Sequence, residues 1–367
     1  MHALDSLRGI AALSVVLYHC LLVWPSLHAT LADHGVPFFH TAQDPLAVAL
    51  LTIPPPSLLW AGREAVLLFF VLSGFVLAQS FLRGPQPWLP FILRRACRLL
   101  LPCLAVTLPV ALLVALADPS PQPGWSVWVT GHWAEAPTLG QLTSHALLLA
   151  QPYDLNSPLW SLHYEWRISL AFPLLVLLGA TGPGRAMLAS LAGMALAAAE
   201  MRLLGSDWLS SLFFLPHFML GVLLAQAGPA LPARLAALPP RGRAGLWLLC
   251  YLLLTYRWLG PGPALLLDLL NGLGAALLIL LVLASRRVQA MLGWAPLAWL
   301  GATSFSLYLV HVPVILAVLH LAPPAMPLVA QLIAAIGLSL LLAWALFHAV
   351  ERPSMRLGRA LAARVEA

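Results

Sequence analysis

Ten apolar stretches, each near the length that crosses a bilayer, take up most of this 367-residue chain. They run 7–24, 64–82, 99–117, 160–180, 186–204, 209–226, 245–259, 263–284, 297–321 and 327–350. A chain so divided folds as helices, because a lone helix satisfies its own backbone hydrogen bonds where water is absent. The expectation is an all-α polytopic transmembrane bundle of about ten spans. The 245–259 stretch is short enough to be merged or re-entrant. Charged residues make up only 9% and hydrophobic residues 61%, where a soluble domain carries about 25% charged residues. One integral-membrane domain over 1–367 is expected, with no appended soluble domain. No cleavable signal peptide is evident, since the first stretch spans and lacks a small-residue cleavage site behind it. No internal repeat stands out. The Pro/Gly-rich patches 231–242 and 119–124 read as loops.

Charge orients the bundle. All 19 basic residues are Arg. With the N-terminus inside, Arg83, Arg94, Arg95 and Arg98 share one cytoplasmic loop, and Arg185, Arg234, Arg241, Arg243, Arg286 and Arg287 fall in later loops on that side. Arg352, Arg356, Arg359 and Arg364 form a cytoplasmic tail. Asp33, Asp44, Asp118, Glu135, Asp154 and Asp207 fall mostly on the other side. This positive-inside bias places both termini in the cytoplasm. It also accounts for the net charge of +6 without nucleic acid. Cys20, Cys97, Cys103 and Cys250 lie in or beside apolar stretches and make no disulfide framework. No metal spacing occurs among the twelve His. His28, His34 and His40 read as solvated residues of an outer loop.

Arg8 and His19 stand eleven residues apart in the first stretch, LDSLRGIAALSVVLYHC. That is almost three helical turns, so both point from one face, with Ala12 and Val15 between them. Ionisable groups inside membrane helices are costly and face a polar interior. The bland alternative is a snorkelling Arg and an unrelated His. His19 lies about 16 Å along the axis from Arg8, near the membrane middle.

Four more stretches carry chemistry. In FILRRACRLLLP, Arg94, Arg95 and Arg98 crowd the cytoplasmic mouth of the third span, and guanidinium forks match phosphate oxygens. In NSPLWSLHYEWRISLAFPLL, Ser161 and Glu165 share one helix face and Trp160, His163 and Arg167 a neighbouring one, at the outer mouth of the fourth span. The bland reading of Glu165 is an ion pair with Arg167 or another helix. In GATSFSLYLVHVPV, Ser304, Tyr308 and His311 make a polar stripe, a pattern that interhelical hydrogen bonding also produces. In FFVLSGFVLA, Ser73-Gly74 permits close helix packing.

In this order the stretches resemble the membrane-bound acyltransferase family 3, the bacterial O-acyltransferases that modify surface glycans and some small molecules. The resemblance runs from Leu4 to Arg356 and includes VERPSMR. It implies that Arg8 and His19 are the family's first-helix Arg-His pair and that Arg94, Arg95 and Arg98 form its basic loop. It further matches Trp160, Ser161 and Glu165 to its Trp-Ser-Leu-x-x-Glu stretch, and Tyr308 and His311 to its Tyr-Leu-x-His stretch. Glu351, Pro353 and Arg356 match its closing motif. Some relatives append a soluble esterase-like domain. Here the chain ends soon after the last motif, so a separate periplasmic transfer step would need a partner protein.

The expectation is an enzyme of the bacterial inner membrane that moves an acyl group, acetyl in the first instance, from cytoplasmic acyl-CoA to a hydroxyl of a glycan or other envelope or small-molecule acceptor. Acyl-CoA is a co-substrate, and no cofactor is held permanently. Arg94, Arg95 and Arg98 hold the nucleotide head. His19 serves as general base or as acyl-accepting nucleophile, with Arg8 and Glu165 as the other catalytic candidates. Trp160, Ser161, Tyr308 and His311 bind the acceptor or support the site, and Tyr308 is a candidate oxyanion donor. The alternative class is a transporter of a small polar solute, which also carries intramembrane ionisable groups.

Overall fold

The computed structural model describes residues 2–32, 46–84, 86–117, 124–149, 152–260, 262–323 and 325–366. His34, His40, Asp33, Asp44, Asp118 and all of the 119–124 patch but Gly124 lie outside the described residues. The described residues are helical and contain no strand. The principal helices are α1 (His2–Leu21), α2 (Gly62–Leu82), α3 (Trp88–Ala117), α4 (Leu159–Leu170), α5 (Pro183–Leu204), α6 (Leu215–Ala227), α7 (Pro240–Leu259), α8 (Ala264–Ala284), α9 (Ala295–Leu321), α10 (Leu328–Leu346) and α11 (Arg352–Glu366). Among the described residues, eight helical stretches are long and apolar enough to cross a membrane. The chain is a multi-pass membrane protein.

All ten expected stretches fall on helix, but two differ from expectation. The 160–180 stretch breaks at Ala171, where α4 ends and Phe172–Ala180 begins with a Pro in its first turn. α7 carries Arg241, Arg243 and Arg257 and is too polar to join the eight. The 231–242 patch is not a loop throughout. Ala230–Ala236 is helical and α7 already starts at Pro240, because Pro is well tolerated in a first turn.

The chain divides into two compact units, each assembled from three separated segments. The first holds residues up to Ala11, 34–86 and 167–301. Its α2 and α6 meet backbone to backbone. A methyl group on Gly74 would run into the Phe218 carbonyl, and one on Gly221 would lie 2.5 Å from the Phe75 amide nitrogen. The close packing expected at Ser73-Gly74 is therefore present, and Phe70 fills the adjoining space by stacking on Phe218. Gly9 and Gly301 make a second such approach, at 2.5 Å from a Gly9 methyl to the Gly301 nitrogen.

The second unit holds 12–33, 87–166 and 302–367. Its α9 contains Pro313, which has no N–H to give the Leu309 carbonyl. Asn156 Nδ2 donates to that carbonyl instead, at 2.8 Å. Ser126 closes the end of α1 in the same way. Its Oγ lies 2.5 Å from the Leu22 carbonyl and its N–H donates to Val23 at 3.1 Å. The expected tail is an ordered helix. Ser354, Gly358 and Ala362 recur every four residues and are buried. A methyl on Gly358 would touch Cys97 and Arg94 of α3, while Arg352, Arg356, Arg359 and Arg364 stay exposed. Between α10 and α11, residues Phe347–Glu351 widen into one π turn, just before Pro353 withdraws a backbone donor.

Gly221→Leu should lower thermal stability in detergent sharply. Overpacking costs about 1–3 kcal/mol even where side chains can yield, and here the obstacle is backbone. Gly337→Leu, with open space around its Cβ, is the control and should unfold at the wild-type temperature.

Candidate active site

The second unit gathers six of the residues singled out above: His19, Arg95, Ser161, Glu165, Tyr308 and His311. They come from α1, α3, α4 and α9. Each side chain is buried or nearly so, and each meets another of the six.

His19 and His311 touch directly. His19 Nδ1 lies 2.9 Å from the Val15 carbonyl and 3.1 Å from His311 Nε2. His311 Nδ1 lies 3.1 Å from the Leu307 carbonyl. A carbonyl only accepts, so the hydrogen sits on Nδ1 of both rings. His311 Nε2 is then an acceptor, and His19 Nδ1–H is shared between it and Val15. This assignment follows from the network. It leaves His19 Nε2 a lone pair with no hydrogen-bond partner among the described residues. α1 ends two residues beyond His19, so His19 occupies the last helical turn rather than the middle of a span. The expectation of a mid-membrane His19 assumed a helix running on to Trp24.

One turn before His311 in α9, Tyr308 Oη lies 2.7 Å from Ser161 Oγ. Both hydroxyls also reach the Pro158 carbonyl, Ser161 at 3.2 Å and Tyr308 at 3.3 Å. Whichever hydroxyl donates to the other, the second donates to the carbonyl, so both protons are committed. Tyr308 therefore clamps the start of α4 to α9. One turn along α4, Glu165 accepts from Arg95 Nη2 at 2.6 Å. Trp160 sets its ring edge-on to Tyr164, 6.0 Å between centroids.

This pair revises two expectations. Arg94, Arg95 and Arg98 are not in a loop at a helix mouth. The amphipathic start WLPFILRR is helical from Trp88, so all three lie within α3. Glu165 pairs with Arg95 rather than Arg167, whose guanidinium donates to the Trp208 carbonyl. A group bonded to Arg95 cannot lie at the opposite mouth from it. Arg94 makes an exposed 3.4 Å pair with Glu366, and Arg98 has no ion-pair partner among the described residues. In the closing motif, Glu351 accepts from Ser306 at 2.7 Å.

Arg8 belongs to the first unit, where it pairs with Asp5 at 3.1 Å. That unit also holds a cluster that sequence reasoning missed. Asp268 accepts from both Arg63 and Arg257, and Glu64 lies 3.7 Å from Arg257. His217 Nε2 donates to the Asp268 carbonyl at 3.0 Å. Two acids and two Arg balance in charge, which lets them remain buried. The signal was a lone Asp268 and a lone Arg257 in apolar segments.

With this geometry described, comparison with known proteins places the chain. The family model described as an acyltransferase domain, that of acyltransferase family 3, matches residues 1–348. The chain belongs to that family and is an acyltransferase. It is 29% identical over 342 residues to the acyltransferase MdmB of Streptomyces mycarofaciens, which covers 80% of this chain and 77% of that one. It is 27% identical over 228 residues to the O-acetyltransferase PaAT-1 of Phomopsis amygdali, covering 52% and 43% respectively. No solved structure matches.

Arg95→Met or Glu165→Leu alone should destabilise by about 3–5 kcal/mol, because each strands a buried charged partner. The double change Arg95→Met with Glu165→Leu should unfold at a higher temperature than either single variant. Additive losses in a thermal double-mutant cycle would show that the two side chains do not depend on one another.

Proposed function

We propose that the protein transfers an acyl group, acetyl in the first instance, from cytoplasmic acyl-CoA to a hydroxyl of a glycan or other envelope or small-molecule acceptor, in the bacterial inner membrane. The observation that carries this reading is the unused Nε2 lone pair of His19, with the ring held at Nδ1 by Val15 and His311. Nε2 takes the acceptor hydroxyl's proton as the oxygen attacks the thioester carbonyl. The C–O bond forms, the C–S bond breaks, and the proton passes to the leaving thiolate. In the covalent variant, Nε2 itself attacks the thioester carbon as the C–S bond breaks and CoA leaves as thiolate; the acceptor oxygen then attacks the acyl-imidazole, the C–N bond breaks, and the hydroxyl proton passes to the freed Nε2 and on to the thiolate.

The remaining residues are given supporting parts. Glu165 and Arg95 fix α4 against α3, and Ser161 with Tyr308 fixes it against α9. Arg94 and Arg98 are given to the nucleotide phosphates, and Glu366 is one internal competitor for Arg94. Trp160, half-buried at the start of α4, is given to the acceptor. The O-acetyltransferase name of one relative supports the acetyl group and the oxygen acceptor.

The test is purified protein with labelled acetyl-CoA. Wild type should release CoA and label an added acceptor. His19→Ala should lose at least the factor of about 10²–10⁴ that general base catalysis supplies, while still binding acyl-CoA. Near-wild-type turnover in that variant removes His19 from the chemistry, and solute flux without CoA release would indicate a carrier.

The donor site is tested separately. Lys keeps the charge but not the fork. Arg94→Lys with Arg98→Lys should keep fold and insertion yet weaken acyl-CoA binding in calorimetric titration, by about 2–4 kcal/mol for two lost bidentate contacts. Unchanged affinity would assign these Arg to topology and send the nucleotide to another basic cluster.

A further inference from the structure

Three tryptophans fall within nine residues in the second unit, Trp125, Trp128 and Trp133, and their surroundings differ. Trp133 is buried and its indole N–H donates to the Leu155 carbonyl at 3.0 Å. Trp125 sits edge-on to His320. Trp128 is half-exposed, and its ring centroid lies 5.4 Å from that of His19. The segment cannot drift from this place. Ser126 ties it to the Leu22 and Val23 carbonyls and caps the Val127–Thr130 turn, while Trp133 anchors the other end.

One turn after Trp128 comes His132, also half-buried, with ring centroids 5.1 Å apart. Its Nδ1 donates to the Trp128 carbonyl at 2.6 Å, which leaves Nε2 as an acceptor without a partner among the described residues. Burial holds this imidazole below its usual range, against the pull of its Trp128 hydrogen bond and of Asp154. Burial thus favours the neutral ring. So an apolar aromatic face and one hydrogen-bond acceptor stand side by side, next to the candidate base.

An acyl chain would leave His132 Nε2 desolvated and unpaired, which is costly. A nucleotide phosphate would find no Arg in the segment 124–133. A sugar ring matches both features. Its axial C–H face is apolar and lies flat on indole, and its equatorial hydroxyls point outward to a polar group at the rim. We propose that Trp128 and His132 form the acceptor subsite, where a pyranose ring stacks on the indole and gives a hydroxyl hydrogen to His132 Nε2 while presenting another hydroxyl to His19. This rests on the acyl-transfer reading above through the role given to His19.

The experiment reads acceptor binding with no donor present. Saturation-transfer NMR is run on detergent-solubilised protein with a panel of methyl hexopyranosides and methyl 6-deoxyhexopyranosides, and with sorbitol as the open-chain control. Ring C–H protons of at least one pyranoside should receive saturation from the wild type, and sorbitol should not. Trp128→Leu should weaken that pyranoside about tenfold, the effect of losing one stacked ring, and Trp128→Phe should retain most of the binding. His132→Phe keeps a ring and removes Nε2, so it should also weaken binding, and it serves if Trp128→Leu does not fold. No pyranoside bound by the wild type, or equal binding by wild type, Trp128→Leu and His132→Phe, overturns the proposal. So does intact pyranoside binding in Trp128→Leu with a changed preference for acyl-CoA chain length, which would give Trp128 to the donor. A wild type that binds pyranosides but acylates none would instead sink the acyl-transfer reading and leave the subsite standing.

Discussion

A single hydrogen bond, from Asn156 to the Leu309 carbonyl, holds the second unit's chemistry in register. Pro313 creates the need for it by withdrawing the helical donor that Leu309 would otherwise have. An unsatisfied carbonyl inside an apolar bundle costs several kcal/mol, so the vacancy is filled from outside the helix. Leu309 lies between Tyr308 and His311, and Asn156 leads directly into the turn that starts α4. One bond therefore fixes the helix that carries Tyr308 and His311 against the segment that carries Ser161 and Glu165. The Ser161–Tyr308 contact follows one turn into α4 and the Glu165–Arg95 pair one turn later.

The sequence made the helices legible because a bilayer admits so few backbones. Apolar length alone located all ten stretches. Their ends were less legible where polarity and helicity part company. Arg94, Arg95 and Arg98 read as loop because charge was taken as the end of a span. In fact α3 had begun at Trp88, and Arg95 turns inward to Glu165. The tail, too, is legible in sequence only as a run of Arg. Its small residues at every fourth position, Ser354, Gly358 and Ala362, were the sign of a packed helix.

The candidate site was legible as residue types and not as contacts. His19, Ser161, Glu165, Tyr308 and His311 stood out because polar groups in apolar helices need a reason. That His19 meets His311, and Glu165 meets Arg95, depends on pairing between helices far apart in sequence, to which helical spacing is blind. Trp128 and His132 escaped notice for a different reason. They lie in a connecting segment, where aromatic and polar residues are ordinary, and only the pinning by Ser126 brings them to His19.

The same accounting of donors and acceptors separates scaffold from chemistry. Arg95 and Glu165 neutralise one another, and the hydroxyl protons of Ser161 and Tyr308 are committed to each other and to Pro158. His311 uses Nδ1 on Leu307 and Nε2 on His19. Five of the six polar side chains thus have their chief capacity used within the fold. His19 alone keeps a reactive lone pair, on the nitrogen away from its two partners. That imidazole is buried and held at Nδ1 by Val15 and His311. The polar line behind it ties α1 to α9, α9 to α4 and α4 to α3 within the second unit.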